Sequence, residues 1–305
     1  MLILEKMIVF LLLMLTGLLL AKARILDDHT SRKLSAIVIY VANPALILQS
    51  SQAERLISNA ALLTAAGIAA VMYAVLITAA ALLPRCMKLS RSQQNAYAMM
   101  TVFSNIGYMG IPLIGEIIGK AALLYVAVFI FFFNLLVYTY GVWVLQRGAD
   151  LAVQKHGMLL KAVNPGVISG LVAIALYLLH VTLPALLLTP ITYLSNLTAP
   201  VSMMVIGASL AGVKLRSFVT DGKLLAFSAL KLLALPILGG LLLKALIGPG
   251  DLLGVCIVML GTPVASMVVM MSQQYGGDTT LLSKGAALTS ILCIVTIPIV
   301  FAVLL

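Results

Sequence analysis

The sequence predicts an all-α integral membrane protein, with ten transmembrane helices in two inverted five-helix repeats and with helices 4 and 9 broken and crossed at mid-membrane. Three observations carry this. Of 305 residues 63% are hydrophobic and only 9% charged, with mean hydropathy +1.17, where soluble domains carry roughly 25% charged residues. Apolar runs of about the length that crosses a bilayer, ~20 residues, recur along the whole chain. The basic residues fall on alternate connections between those runs. Little chain is left outside the membrane, so a separate catalytic domain is excluded.

Taken in order, the apolar runs cover 4–22, 34–50, 57–83, 93–117, 120–145, 165–182, 186–212, 223–247, 252–273 and 280–304. The first could be mistaken for a secretory signal, because Ala21-Lys22-Ala23 resembles a small-residue cleavage site. Its charges predict a retained helix instead. Glu5 and Lys6 cancel upstream, while Lys22, Arg24, Arg32 and Lys33 follow and hold the downstream end in the cytoplasm. The connections after spans 1, 3, 5, 7 and 9 carry fourteen basic residues. The opposite side carries four, Lys6, Arg55, Lys120 and Lys244, and Lys231 stands inside span 8. The predicted topology therefore has both termini outside, and the net charge of +10 is a topology signal with no nucleic-acid partner behind it.

Five spans precede the long connection 146–163 and five follow it. An odd number per half makes the halves, 1–145 and 164–305, insert with opposite orientations, and leaves 146–163 as a cytoplasmic linker. Pro44 in span 2 and Pro200 in span 7 stand 156 residues apart, and Asn105 in span 4 and Pro263 in span 9 stand 158 apart. The same element numbers are thus paired in both halves.

A helix in lipid must satisfy its own backbone, so a stretch that breaks the ladder needs a protein-lined or watery cavity around it. Ser104-Asn105-Ile106-Gly107-Tyr108-Met109-Gly110-Ile111-Pro112 places two glycines and a proline about mid-membrane in span 4. Gly261-Thr262-Pro263-Val264-Ala265-Ser266 breaks span 9 at a similar depth from the other side. Each break exposes a half-helix N-terminus that favours an anion, and Asn105, Thr262 and Ser266 can complete its coordination. The expected substrate-binding set is Asn43, Ser104, Asn105, Gly107, Tyr108, Gly110, Pro112, Thr262, Pro263 and Ser266. Pro44, Asn134, Pro200 and Pro236 are supporting residues. Asn43 either touches substrate or belongs only to the Pro44 kink; Asn134 either braces the crossover or lines the pathway. For Lys231 two readings stay open: a functional buried charge that orders or couples the transport machinery, or a side chain that snorkels to the cytoplasmic face.

Other chemistries find no support. Cys86, Cys256 and Cys293 lack metal-ligand spacing and His29, His156 and His180 are scattered, so neither a disulfide framework, a metal site nor a cofactor is expected. Gly207-Ala208-Ser209-Leu210-Ala211 approaches a nucleophile elbow but lacks the second glycine, and no span core holds a histidine to act as base. An enzyme is not expected. No span core holds a carboxylate either, so a proton relay through Asp or Glu is absent from the sequence.

Asn105 to Pro112, the Gly207-Ala208-Ser209-Leu210 turn, Lys231 with Pro236 and the Pro263 segment together resemble the auxin efflux carrier family, whose bacterial members include malate and malonate permease-like proteins. The resemblance covers essentially the whole chain. It implies the fold shared with bile-acid-sodium symporter-like carriers: a scaffold of helices 1, 2, 6 and 7, a moving transport domain of helices 3–5 and 8–10, and usually a homodimer. It also implies an organic anion as substrate. The long hydrophilic middle loop of the large plant carriers is missing, and no membrane-embedded acidic residue matches the sodium sites of the bile-acid symporters. The expected function is secondary transport of a small mono- or dicarboxylate across the bacterial inner membrane, in contact with lipid; a non-transporting sensor or channel-like pore on the same fold is the alternative.

Overall fold

The computed structural model describes residues 2–52, 57–147, 163–211 and 221–304. The helices in chain order are α1 (Leu2–Lys22), α2 (Asp28–Ile37), α3 (Asn43–Ser50), α4 (Asn59–Cys86), α5 (Arg91–Val102), α6 (Ile111–Ile117), α7 (Leu123–Leu136), α8 (Val142–Gln146), α9 (Pro165–Leu178), α10 (Ala185–Ser195), α11 (Thr198–Ser209), α12 (Gly222–Ala229), α13 (Leu235–Ile247), α14 (Asp251–Gly261), α15 (Ser266–Tyr275) and α16 (Thr279–Leu304). Among the described residues the only strand-like contact is one antiparallel bridge, Ser104 to Val264. Among the described residues six helical stretches are long and apolar enough to cross a membrane: His29–Ser50, Asn59–Cys86, Lys120–Gln146, Ala185–Ser209, Gly222–Ile247 and Thr279–Leu304. Shorter apolar helices, Ile8–Lys22, Ile106–Ile117, Pro165–Leu178 and Asp251–Gly261, fall on spans 1, 4, 6 and 9. Spans 4 and 9 fall short of a full crossing length because each is interrupted where the sequence places its break. Most of the 146–163 connection, with Lys155, His156 and Lys161, lies outside the described residues, as do Arg55, Lys214 and Arg216.

The helix starts follow from short polar side chains that satisfy orphan N–H groups. Ser58 Oγ accepts from the Ala61 N–H at 3.1 Å, Asp221 from Leu224 at 3.1 Å and Asp278 from Leu281 at 2.9 Å. The last caps span 10. Asn164 accepts from both Gly166 and Val167, with Pro165 in the first turn. Asp27 caps α2 through the Thr30 N–H at 2.7 Å, which starts span 2 at Asp28 and not at 34. That hydrogen bond also holds the Asp27 carboxyl below its ordinary value.

Three prolines follow a widened, π-helical turn at the same spacing. Val38–Ala42 precedes Pro44, Ile106–Gly110 precedes Pro112, and Leu230–Ala234 precedes Pro236. In each, the residue before proline donates five residues back: Asn43 to Val38, Ile111 to Ile106, Leu235 to Leu230. A proline lacks the N–H and its ring crowds the carbonyl four residues earlier, so a wider turn absorbs the misfit without ending the helix. Pro200 differs from expectation. The chain is interrupted at Asn196 and Leu197, which places Pro200 in the first turn of α11, where a missing N–H breaks no hydrogen bond.

The main helix contacts are α1 on α11, α3 on α9 and α10, α7 on α9 and α4, α4 on α5, and α13 on α14. The α1–α11 contact is backbone on backbone: a Cβ at Gly17 would stand 2.0 Å from Met204 O, and one at Gly207 1.9 Å from Met14 O. Small residues permit such approach where no hydrophobic force drives helices together. The core is densest around α6, α7 and α14, where every residue from Leu253 to Gly261 is buried. Large apolar side chains such as Leu63, Leu186 and Leu246 face outward, the pattern of a surface solvated by lipid tails.

Candidate functional site

The two breaks meet. Asn105 N–H donates to Pro263 O at 2.7 Å and Ala265 N–H donates to Phe103 O at 3.0 Å, so residues 103–105 and 263–265 run antiparallel as a two-rung ladder. The rungs supply hydrogen bonds that the interrupted helices forfeit. From α16, Thr289 Oγ1 accepts from the Val264 N–H at 3.0 Å. From the first residue of α3, Asn43 Nδ2 donates to Gly107 O at 2.8 Å.

Asn105 sits at the crossing. Its Oδ1 receives the Tyr108 N–H at 3.3 Å and its main-chain oxygen receives Met109 and Gly110. Ala265 places no side-chain cap on α15. Among the described residues the N–H groups of Gly107, Ser266 and Met267 make no hydrogen bond. These orphan donors stand at two half-helix N-termini, where the dipole is positive.

A cavity of about 350 Å³ lies against the crossing. Asn43, Ser104, Asn105, Gly107 and Tyr108 of the expected set line it, with Met267 and Ala265 from the other break. Among the described residues no charged side chain is in its wall. Asn43 Oδ1 is buried and has no partner among the described residues, which in a folded protein is a mark of a missing polar ligand or water. A second cavity of about 490 Å³ shares Asn105, Tyr108, Tyr40 and Met270, and adds Ser266, a set of serines and Arg32. It extends toward the start of α2 and the end of α11, where the basic connections lie.

The remaining expected residues are placed differently. Gly110, Pro112, Thr262 and Pro263 line neither cavity. Thr262 is buried and its hydroxyl turns back to Met259 O at 3.2 Å, because the ladder fixes its neighbour and leaves its side chain on the α14 side. Pro263 contributes its carbonyl to the ladder. Pro44 and Pro236 set the widened turns, and Pro200 lines neither cavity. Asn134 both braces and lines: it donates to Ile130 O at 2.9 Å, receives a hydrogen bond from Asn164 Nδ2, and borders the first cavity.

Lys231 is the only buried charged side chain among the described residues. Snorkelling is overturned, since its Nζ turns inward to Ser104 Oγ at 2.8 Å and Thr101 O at 3.1 Å. Thr101 is in the last turn of α5, where free carbonyls and the negative dipole end favour a cation.

Sequence reasoning missed Asn164, Tyr40, Tyr138 and Gln274 in the first cavity and Arg32 in the second. Asn164-Pro165 was legible as a helix start, but its reach to Asn134 required the fold. Among the described residues no group of three or more His, Cys, Asp or Glu could hold a metal ion.

No curated protein matches the chain. One family profile, described as "Membrane transport protein", matches residues 2–301. With that match over nearly the whole chain, and with apolar helices broken and paired as described, the protein belongs to this family of auxin efflux carrier-like membrane transport proteins.

Proposed function

We propose that the chain is a secondary transporter that carries a small organic anion, a mono- or dicarboxylate, by alternating access around the crossover. The observation that carries this reading is the set of unpartnered N–H groups at Gly107, Ser266 and Met267, all three on residues that border the cavities. Such donors favour a carboxylate without a countercharge in the wall. Arg32 in the second cavity adds a positive potential at the mouth. Asn43, Ser104, Asn105, Gly107, Tyr108 and Ser266 are the contact residues; Pro263 and Thr262 hold the crossing.

Two inverted halves, 1–145 and 164–305, are supported by the packing. The α1–α11 contact pairs spans 1 and 7 and the α3–α9 contact pairs spans 2 and 6, which are equivalent under exchange of halves. The ladder between the breaks is its own counterpart. We take spans 1, 2, 6 and 7 as scaffold and spans 3–5 and 8–10 as the moving domain, with the cavities between them. Positive-inside charge puts the basic connections in the cytoplasm and both termini outside a bacterial inner membrane, so the cavities open inward. At the other end Lys6 pairs with Glu116 at 2.6 Å and Lys120 donates to Gln49 at 3.0 Å, tying the two groups together. A homodimer through the scaffold follows the family pattern.

Uptake into proteoliposomes tests this. Labelled acetate, malonate and L-malate are offered to the full chain, to Asn105→Ala, and to Leu186→Ala on the outer apolar face. The reading expects uptake of at least one acid, preserved in Leu186→Ala and lost in Asn105→Ala. Equal uptake by wild type and Asn105→Ala overturns the site, and no uptake of any acid overturns the substrate class.

A further inference from the structure

Among the described residues the first cavity has no charged wall residue, yet a buried cation is bonded to one of its wall residues. Ser104 belongs to the cavity wall and is 5% exposed; Lys231, on the opposite side of it, is 1% exposed. The hydroxyl between them joins the two.

An ammonium carries only donors. In the 2.8 Å contact Ser104 Oγ is therefore the acceptor. A serine hydroxyl has one hydrogen, and with Oγ already accepting from Lys231 that hydrogen is left to donate. Among the described residues Ser104 Oγ makes no other hydrogen bond. Its unused donor thus belongs to a wall group of the cavity. Thr101 O holds the ammonium from the other side at 3.1 Å, so the charge stays beside the break and does not enter the cavity.

We propose that Lys231 is a positioning residue for anion recognition that acts through Ser104. It fixes Ser104 as a donor and polarises its O–H, and it supplies, at one hydroxyl's remove, the positive charge that the cavity wall lacks. The inference rests on the carboxylate reading of the cavity given above and adds a specificity device to it. A bound carboxylate oxygen at ordinary O–H···O distance from Ser104 would lie about 5 Å from Nζ. The chemical consequence is discrimination: a carboxylate is preferred over its uncharged amide of the same shape. Charge-assisted hydrogen bonds exceed neutral ones by enough to make that preference about tenfold or more.

The test is a thermal-shift titration of the purified full chain with acetate, malonate and L-malate at fixed ionic strength, each beside its amide, since a ligand stabilises in proportion to RT ln(1 + [L]/Kd). Wild type is expected to prefer at least one acid to its amide. Lys231→Met should bring acid affinity down about tenfold or more, to near the amide's, leaving amide affinity in place, and Ser104→Ala should lower acid affinity at least as far and abolish the preference for acid over amide. The double variant should lose no more than the worse single one, because one relay is broken in both. Lys231→Arg should keep the preference. If Lys231→Met fails to fold, Ser104→Ala decides, since it retains the Lys231 contact to Thr101. Wild-type preference in Ser104→Ala, or additive losses in the double variant, overturns the relay. If those outcomes occur while Asn105→Ala loses binding, only this inference falls; if no acid stabilises wild type, the carboxylate reading falls and takes the inference with it.

Discussion

Two threonines on α16 invite the same substitution and should answer it in opposite ways. Thr289 is fully buried; its Oγ1 accepts from the Val264 N–H at 3.0 Å and donates to Gly285 O at 2.7 Å. Thr289→Val keeps the shape and removes the acceptor, which strands a buried N–H next to the ladder. Leaving such a group unsatisfied costs about 1–3 kcal/mol. Thr296 is also buried, at 8% exposure, but its Oγ1 has no partner among the described residues. Thr296→Val removes a desolvated hydroxyl that bonds to nothing, so it should be neutral or stabilising by up to about 1 kcal/mol. Thermal unfolding of both variants in the same detergent reads the contrast. Thr289→Val should melt several degrees below wild type, on the order of 2 °C per kcal/mol for a chain this long, and Thr296→Val at or above it. The methyl-for-hydroxyl exchange is common to both, so its packing effect cancels in the comparison. Equal melting of Thr289→Val and wild type, or an equal loss in both variants, would refute the assignment of Thr289 as the tie that holds the crossing.

Further outcomes are open to the same measurements. Gly207→Ala places a carbon 1.9 Å from Met14 O; ordinary contact begins near 3.4 Å, so α1 and α11 must part by more than an ångström, and a melting loss of about 1–3 kcal/mol is expected, whereas Gly67→Ala on an open face should show none. Asn164→Leu removes both the cap of α9 and the partner of Asn134; a combined loss of about 2 kcal/mol is expected, and no change in melting would remove Asn164 from its bracing role. Lys6→Met and Lys120→Met each release a contact between the proposed scaffold and moving domain at their proposed outer end; partly exposed pairs contribute roughly 0–1 kcal/mol, so melting should barely move while labelling of a cysteine placed on that side of Asn105 increases. Asp27, whose carboxyl is held low by the Thr30 N–H, contributes its cap fully above about pH 4, the ordinary carboxylate value, and loses it as pH falls through the lowered value; hydrogen exchange in the first turn of α2 should rise only in that acid range.

The parts of this architecture that were legible from sequence are those written in strong, local physics. Proline and glycine mark the breaks at Asn105–Pro112 and Gly261–Ser266 because a helix in lipid has few other reasons to forfeit hydrogen bonds. What sequence could not supply was helix rotation. Thr262 is as polar as Ser266, yet one turns back to Met259 and the other borders a cavity; the non-helical residues 262–265 leave the rotation of each half-helix unfixed by the sequence. Tyr40, Tyr138 and Gln274 join the cavity for the same reason. Lys231 was visible as an anomaly, but its partner Ser104 is 127 residues away, and only the ladder between the breaks brings the end of α5 to it. Pro200 stands in mid-span by sequence, where a proline is costly; the interruption at Asn196, which removes the penalty, carries no glycine or proline of its own.

Counterflow in proteoliposomes tests the central claim most directly. Vesicles containing the full chain are loaded with one unlabelled acid among acetate, malonate and L-malate, then diluted into a trace of the same acid carrying label. A carrier that alternates access at the crossover should draw label inward above its equilibrium level before it decays, and Asn105→Ala should abolish that overshoot. Label that only equilibrates, with no acceleration by unlabelled acid inside, would mark a pore; label that does not move for any of the acids would mark a protein that senses or binds without carrying, and either result would contradict the account.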